Sequence, residues 1–436
     1  MKPLNKQRGM TMIMLVFILG LAATGYLLHA LNPVAIRIER DKKTAMALAE
    51  AKTALIGYAA SVDLTAGSCT TNCPRPGDLP CPDIDNDGIA ESVCGNAAGT
   101  TGQSGRLGRL PWVTLGLPDL RDGSGERLWY AVSNRYKNNT RYRPLNSDTV
   151  ATITLRNAAG SVINDATSTT GLSAIVIAPE EALIRQDGQV QLRGDANQLL
   201  AANYLEIAFG EDNQDFSDGT ANGFISGPIK AADGSVIVND RIVSISQDEM
   251  LKVMETRVLV EVEHALLDYY CGIGNVNYST KSCTLPGASF PYPATFINIG
   301  CLGSNSATAA CSESAAAGGR IPAYPITPWS STSILRASRN NNWFQMNAWR
   351  EVIYYGVAPA CATGTVSCDG IGLLTVKNSK LLPENDKHLV LIAAGRRLGS
   401  QLRSSNSQKT DELKYLVGEN YAPLDNIYER YGFTIN

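Results

Sequence analysis

The chain is poor in the residues and motifs that carry most enzyme chemistry. It has only three histidines, His29, His264 and His388, and no Cys-x-x-Cys pair, so few ligands are available for zinc. It also lacks the GxSxG, HExxH, P-loop and dinucleotide-binding motifs. We therefore predict that the protein is not an enzyme.

Charged residues are scarce as well, at 18% of 436 residues, with a formal net charge of -3. Such a chain has no strong basic field, so nucleic acid is not an expected partner. In contrast, 39 glycines, 20 prolines and an apolar content of 44% are typical of a loop-rich, β-containing extracytoplasmic protein. The length is sufficient for two domains.

Ten cysteines are too many for an ordinary reduced cytosolic protein of this size. Their even number and close spacing predict a disulfide framework in an oxidising compartment, although many connectivities are open. Zinc binding is the alternative, and the scarcity of histidine argues against it. The cysteines are Cys69, Cys73, Cys81, Cys94, Cys271, Cys283, Cys301, Cys311, Cys361 and Cys368.

The N-terminus begins with a positive flank, Lys2, Lys6 and Arg8, followed by an apolar run over residues 10–31. As a helix these 22 residues span about 33 Å, which matches a bilayer core. The flank predicts a cytoplasmic N-terminus, and hence a single-pass inner-membrane protein with a C-terminal body in the periplasm. The alternatives are a plain signal anchor or a secretory signal cleaved near Leu21-Ala22-Ala23.

A short basic leader that ends in Gly9 and is followed at once by an apolar helix resembles the type IV prepilin and type II secretion pseudopilin signal. The resemblance implies that prepilin peptidase cuts between Gly9 and Met10 and methylates Met10. It also implies assembly with other pilin or pseudopilin subunits. The family usually has glutamate at the fifth mature position, where this chain has Met14. Within the family, that absence resembles the large minor subunit at a fibre tip, which has no subunit above it.

Beyond Pro33, which is expected to kink or end the membrane helix, the chain repeats itself. Each unit has a helix, a cysteine-containing loop, a Gly-Arg-[Leu/Ile]-Pro turn and short apolar strands such as LWYAV, AIVIA, EVIYYGV and HLVLIAA. Ser246 and Glu249 form a capping-box pattern before the second helix. Three anchors recur 211 positions later: Ala54 and Ala265, Gly108 and Gly319, Tyr204 and Tyr415.

These patterns predict an α+β fold, with an N-terminal transmembrane and stem helix followed by two related helix-plus-antiparallel-sheet units. The predicted segments are a leader (1–9), a membrane helix (10–31), the stem with the first unit (32–245) and the second unit (246–436). The stretch GRLPWVTLGLPDLRDGSGERLWYAVS also resembles a segment of large prepilin-type proteins of Gram-negative bacteria.

Acidic residues alternate along the segment between Cys81 and Cys94 and form a candidate calcium site. The expected ligands are side chains of Asp83, Asp85, Asp87 and Glu91 and the carbonyl of Ile89, with Gly88 permitting a sharp turn. Cys94 stands where an EF-hand has its bidentate glutamate, so a complete EF-hand is excluded. A solvated turn is the alternative. Remote ligands, or a second site, could come from Asp119, Asp122, Glu126, Glu211, Asp212, Asp215 or Asp218.

The main functional hypothesis is a minor pilin-like or pseudopilin-like structural subunit, carried on the inner membrane or on an extracellular fibre. One alternative is a membrane-anchored periplasmic protein that binds or adheres in a calcium-dependent way. An anchored periplasmic hydrolase is the enzyme alternative, with His388 as a conceivable base. No nucleophile is evident beside it.

Overall fold

The computed structural model has an α+β architecture with several sheets. It describes residues 8–30, 33–64, 74–95, 105–137, 144–216, 222–284, 289–303, 311–314, 317–323, 327–336, 342–362, 368, 373–378, 381–420 and 427–430. The α-helices within these ranges are α1 (Arg8–Ala30), α2 (Pro33–Ala60), α3 (Gln247–Cys271), α4 (Trp343–Met346), α5 (Trp349–Val352) and α6 (Asn406–Lys409).

The strands before α3 are β1 (Leu107–Arg109), β2 (Trp129–Val132), β3 (Ile153–Arg156), β4 (Val162–Asn164), β5 (Leu172–Ala178), β6 (Ile207–Ala208), β7 (Glu211–Asp212), β8 (Asn222–Ile225), β9 (Ile229–Lys230), β10 (Val236–Val238) and β11 (Arg241–Ser246). Those after α3 are β12 (Val276–Asn277), β13 (Ser282–Cys283), β14 (Gly318–Gly319), β15 (Ile353–Val357), β16 (Leu374–Asn378), β17 (Leu381–Lys387), β18 (Leu389–Ala393) and β19 (Ile427–Arg430).

Helix α2 begins at Pro33, a position where the missing N–H of proline has no helical partner to lose. Among the described residues, no helix combines the length and the apolar content needed to cross a membrane. The predicted membrane span, residues 10–31, lies partly outside the described residues. The second half of α2 buries Leu48, Ala51 and Leu55, whose spacing of three to four residues places them on one face. Burial of the two leucines contributes about 2 kcal/mol each.

The first unit is built on a seven-stranded sheet with the order β1-β2-β5-β3-β4, in which β11 also pairs with β5 and β8 also pairs with β3. The prediction of an antiparallel sheet is wrong in one part, because β3 and β8 run parallel. A long connection that contains β4 to β7 separates the two strands, and a connection of that length allows a parallel return. The same parallel arrangement recurs in the second unit between β16 and β19.

Helix α3 begins with the predicted capping box, which is confirmed. The Ser246 side chain accepts a hydrogen bond from the Glu249 N–H, and the Glu249 carboxylate accepts one from the Ser246 N–H at 2.8 Å. Its buried face includes Met250, Met254 and Val258, four residues apart. Val260 lies off this face and is 39% exposed. Helix α3 contacts β5 and β11 of the first unit and β18 of the second.

The second unit repeats the strand pairing of the first. In one sheet Gly108 pairs with Tyr130, and Trp129 pairs with Ile177. In the sheet β14-β15-β18 Gly319 pairs with Tyr355, and Tyr354 pairs with Ile392. These are the residues that the sequence repeat matches. The bridge between Asp83 and Arg109 likewise recurs between Ala294 and Arg320, each 211 positions later.

The recurring Gly-Arg-[Leu/Ile]-Pro turn has a steric and a polar explanation. A Cβ at Gly108 would lie 2.6 Å from the Asp83 carbonyl oxygen, and one at Gly319 would meet the Ala294 carbonyl oxygen. Only glycine therefore allows the neighbouring segment to approach this closely. The arginines that follow these glycines, Arg109 and Arg320, are buried. They donate hydrogen bonds to the carbonyl oxygens of Gln198 and Lys409, respectively.

The two units share one buried apolar cluster. It contains Leu55 of α2, Met254 of α3, Tyr130 of the first sheet and Tyr355 of the second. Polar contacts also join the units, since the Asn347 side-chain oxygen accepts hydrogen bonds from Arg75 at 2.8 Å and from the Leu145 N–H at 3.0 Å. The two units therefore pack against each other around α3.

The predicted disulfide framework is confirmed in the described residues, and each bond joins near neighbours in the chain, a connectivity that the sequence left open. They join Cys81 with Cys94, Cys271 with Cys283, Cys301 with Cys311, and Cys361 with Cys368. Cys69 and Cys73 lie outside the described residues. Four disulfides indicate an oxidising, extracytoplasmic location.

Candidate functional site

The predicted processing site lies in the first turn of α1, because this helix begins at Arg8. Met10 is 70% exposed, and Met14, which stands where the prepilin family usually has glutamate, is 62% exposed. Apolar side chains thus face outwards along this helix. The side chain at position 14 offers no charge that could pair with a neighbouring amine.

The acidic loop folds around the Asp83 carboxylate. This group accepts hydrogen bonds from the N–H of Asn86 at 2.5 Å and from the N–H of Gly88 at 2.7 Å. Asn86 and Gly88 have φ angles of 69° and 87°, in the left-handed region that these two residue types tolerate. The chain therefore turns tightly around one carboxylate.

Gly88 is required at its position for a second reason. A Cβ there would lie 2.6 Å from the Trp112 ring, and the Val113 N–H donates to the Gly88 carbonyl oxygen at 2.8 Å. The Cys81–Cys94 disulfide, with Cα atoms 5.6 Å apart, joins the two ends of the loop. Closing the loop covalently reduces the entropy lost when its carboxylates are ordered.

Three of the predicted ligands come together. Carboxylate oxygens of Asp83, Asp85 and Glu91 lie within 4.8 Å of one another. The Asp87 carboxylate is not in this group, and its Oδ1 accepts a hydrogen bond from the Ile89 N–H at 2.7 Å. Three converging carboxylates with further lone pairs can hold a hard cation such as calcium.

The electrostatics of Asp83 favour a cation. Burial raises the pKa of its carboxyl group, and the negative charges of Asp87 and Asp85 raise it further. The two backbone N–H groups act in the opposite direction and lower that pKa. A divalent cation would offset the repulsion among these carboxylates.

The other acidic residues singled out in the sequence mostly form ion pairs. Asp119 accepts hydrogen bonds from Arg121 at 2.7 Å and from Arg127 at 2.9 Å. Asp122 accepts N–H groups of its own turn, including that of Glu126 at 2.9 Å. Glu126 pairs with Arg193, Glu211 with Arg156, and Asp212 with Arg185. Asp218 lies outside the described residues.

The described residues contain one other group with metal-ligating side chains, Cys361, Cys368 and His388. The two cysteines are joined in a disulfide, so they offer no thiolate to a zinc ion. This group therefore gives the zinc alternative no support.

A cavity of about 300 Å³ lies beside the acidic loop. Its lining includes Asp83, Ile84, Arg109, Trp129, Gln214 and Phe216. The volume suits a small polar molecule, and the acidic loop lies at its edge.

Comparison with protein-family models, curated proteins and solved structures found no match to this chain. Its functional interpretation therefore depends on its own residues.

Sequence reasoning missed a pair of buried acidic residues, Glu206 and Asp240, in which each carboxylate accepts a hydrogen bond from the other residue's N–H. Both are 0% exposed. The one signal in the sequence is a departure from the repeat. Glu206 follows the anchor Tyr204-Leu205, whereas Val417 follows the matching Tyr415-Leu416.

Proposed function

We propose that this chain is a minor pilin-like or pseudopilin-like structural subunit of a type IV pilus or a type II secretion pseudopilus. In this proposal prepilin peptidase cuts after Gly9, α1 anchors the chain in the inner membrane, and α1 then packs with other subunits. The observation that carries the proposal is the basic leader placed directly before an apolar helix. The large apolar side chains described between Met10 and Leu21 are all at least 60% exposed.

Exposed apolar surface of this extent is stable only in contact with lipid or with other apolar helices. Helix α2 is different, because its second half buries Leu48, Ala51 and Leu55 against the body. One end of this helical pair is thus fixed to the two units while α1 offers its side chains to other partners. This difference between α1 and α2 supports a stem that joins a membrane or fibre to a periplasmic body.

Met14 supports a position at the tip rather than along the fibre. A buried N-terminal amine needs a carboxylate beside it, and glutamate at this position supplies one in the family that the leader resembles. A subunit with Met14 offers no carboxylate to the N-terminal amine of a subunit above it. A subunit at the tip has no subunit above it and needs no such carboxylate. The large duplicated body, residues 32–245 and 246–436, would then cap the fibre.

The processing step predicts a mature chain that begins with N-methylated Met10. Mass spectrometry of the membrane-associated protein should detect this N-terminus. Gly9→Val should abolish cleavage, because the peptidase must accommodate the residue before the scissile bond. Gly20→Ala, at a position where an added Cβ meets no described heavy atom within 4 Å, is the matched control and should be processed normally.

An intact Met1 on the membrane-associated chain would contradict the prepilin assignment and leave a plain signal anchor. A mature terminus near Ala23 would instead identify a secretory signal. Both results are distinct from the expected methylated Met10, so one measurement separates the three N-terminal interpretations.

The grouped carboxylates of Asp83, Asp85 and Glu91 favour a second candidate function, a membrane-anchored periplasmic protein that binds in a calcium-dependent way. Calcium would draw the three groups together and stiffen the loop that borders the cavity. This function and the fibre proposal can both hold, since the loop is part of the body and the leader is not.

Calcium at a hundred times its dissociation constant should raise the melting temperature by about 5 °C, and a chelator should reverse the rise. Asp85→Asn should remove this response, since Asp85 is an exposed member of the group. Asp233→Asn is the matched control, because Asp233 is an exposed turn aspartate that bonds only within its own turn at Ser235. A melting temperature that is indifferent to calcium and chelator would rule out a structural ion.

A further inference from the structure

Strands β5 and β18 occupy equivalent places in the two units. Each pairs antiparallel with the preceding strand of its sheet, β5 with β2 and β18 with β15. Ile177 faces Trp129 in the first sheet, and Ile392 faces Tyr354 in the second. Residues of β18 therefore correspond to residues of β5 that lie 215 positions earlier.

The second edge of β5 is covered by β11. Six residues of β11, from Arg241 to Ser246, pair antiparallel with β5. Every residue of β5 is 0% exposed, and Ile245 of β11 is also 0% exposed. The first unit thus completes its sheet with a strand from the same chain.

The second edge of β18 has no such strand. Within the described part of the chain, β18 pairs with β15 alone. All five of its residues, Leu-Val-Leu-Ile-Ala, are partly exposed, in contrast to the fully buried β5. An apolar edge strand without charge, proline or bulge is what proteins usually avoid leaving open, because it accepts further strands.

The hydrogen bonds of the sheet identify which backbone groups are available. The Ala394 N–H donates to the Val352 carbonyl at 2.9 Å, and the Ala358 N–H donates to the His388 carbonyl at 2.8 Å. Bonded pairs alternate along an antiparallel ladder. Val390 and Ile392 therefore bond to β15, whereas the N–H and C=O groups of Leu389, Leu391 and Ala393 point to the other edge.

Their counterparts in the first unit show how that edge can be used. Ala174, Val176 and Ala178 of β5 pair with Ile245, Val243 and Arg241 of β11. The same alternation applies there, since the Ser133 N–H donates to the Ser173 carbonyl on the β2 side. The outward groups of β18 thus match the positions that bind a strand in β5.

We propose that the β18 edge accepts an extended strand from another protein, with apolar residues at alternate positions as in β11. A second copy of this chain is a poor donor, because its own β11 is paired along its length and partly buried. The donor in this proposal is a free extended segment of a different polypeptide, and pairing of two β18 edges in a dimer of this chain would overturn that choice. The strand adds antiparallel to β18, as β11 adds to β5. This proposal holds whether or not the chain is a fibre subunit.

Hydrogen exchange of the full-length protein tests the proposal. In the free protein the amides of Leu389, Leu391 and Ala393 should exchange at least tenfold faster than those of Val390 and Ile392, since only the latter are bonded. A synthetic peptide of residues 239–247, which contains the β11 sequence, should slow the three fast amides by about tenfold or more at saturation. The amides of Ala174, Val176 and Ala178 are the internal control and should be protected throughout.

A matched pair of proline variants supplies a second readout. Leu391→Pro should be tolerated, because its N–H points to the open edge, and it should weaken peptide binding about tenfold. Val176→Pro, the equivalent position in β5, should lower the melting temperature far more, because its N–H bonds to β11. If both variants lowered the melting temperature equally, the edge would already be filled. The same would follow if the Leu391 and Ala393 amides were as protected from exchange as the Val390 amide in the free protein. No protection by the peptide would also overturn the proposal.

Discussion

Replacing Arg109 with methionine is expected to lower the free energy of unfolding by about 3 kcal/mol, and Arg320→Met should have a similar effect. The Arg109 guanidinium donates to the carbonyl oxygens of Arg127 at 2.9 Å and Gln198 at 2.7 Å. It also lies 4.1 Å from the ring centroids of Trp129 and Tyr204. Methionine would fill the space between the rings but would leave both carbonyl groups without their donor.

Arg320 repeats these contacts in the second unit. It donates to the carbonyl oxygens of Phe296 and Lys409, both at 2.5 Å, and lies 3.8 Å from the centroid of the Phe296 ring. Lys409 stands 211 positions after Gln198, so the same bond recurs at matching places. Burial lowers the pKa of both arginines, that of Arg109 to about 10, so part of the hydrogen-bond energy is offset by desolvation of the charge.

Denaturant unfolding of the full-length chain measures the effect. Arg121→Met is the matched control, because Arg121 is 43% exposed and its ion pair with Asp119 is solvated, so a change below about 1 kcal/mol is expected. Arg109→Lys should recover little of the loss, since an ammonium group lacks the planar fork that bonds and stacks at once. Stability of Arg109→Met within 0.5 kcal/mol of the wild type, roughly the effect of an ordinary surface substitution, would contradict the role given to this residue.

Local features of the fold were predictable because short-range physics determines them. The capping box needs only Ser246 and Glu249 three residues apart, and the runs WYAV and AIVIA form strands β2 and β5. The acidic loop was recognisable for the same reason, since Asp83 binds N–H groups within its own five following residues.

Long-range pairing was not predictable, because no local pattern encodes it. The parallel pairing of β3 with β8 joins segments separated by several other strands. In EVIYYGV, Glu351 and Val352 belong to helix α5, and the strand begins only at Ile353. Spacing after the repeated Ile-Ala pair, at Ile177 and Ile392, aligns Gln186 with Gln401, but the structural counterpart of Gln401 is Gln191. The Gln191 side chain accepts the Leu183 N–H, as the Gln401 side chain accepts the Leu398 N–H.

Asp240→Asn is expected to remove a loss of stability that the wild-type chain undergoes on going from acid to neutral pH. The Asp240 Oδ2 atom accepts hydrogen bonds from the Glu206 N–H at 2.9 Å and from Asn213 at 2.7 Å. Among the described residues, its Oδ1 atom has no hydrogen-bond donor. A buried carboxylate oxygen without a donor is costly, so burial favours the protonated form of Asp240.

The surroundings of Glu206 leave this pair without a counter-charge. Its carboxylate accepts hydrogen bonds from Gln191 at 2.9 Å and from the N–H groups of Asn239 and Asp240 at 3.2 Å and 3.1 Å. These donors are neutral, and no described ion pair includes either carboxyl group. Burial therefore raises the pKa of Glu206 and of Asp240, and the negative charge of Glu206 raises the pKa of Asp240 further.

Because the pKa values of both carboxyl groups are raised in the folded chain, stability falls as the pH rises. The folded chain keeps a proton that the unfolded chain releases near pH 4, so this stabilisation is complete below that pH. It is lost as the pH rises through the raised folded-state pKa, by about 3 kcal/mol in total, the typical cost of a buried charge without a partner. An asparagine at position 240 stays uncharged at every pH and keeps an acceptor for the Glu206 N–H. Unfolding free energies should therefore be measured from pH 4 to pH 8. The wild type and Asp240→Asn should converge in acid, and Asp240→Asn should be the more stable at pH 8. Asp233→Asn, in an exposed turn, should follow the wild type. Parallel curves for the wild type and Asp240→Asn would show that the folded chain holds no additional proton at this site.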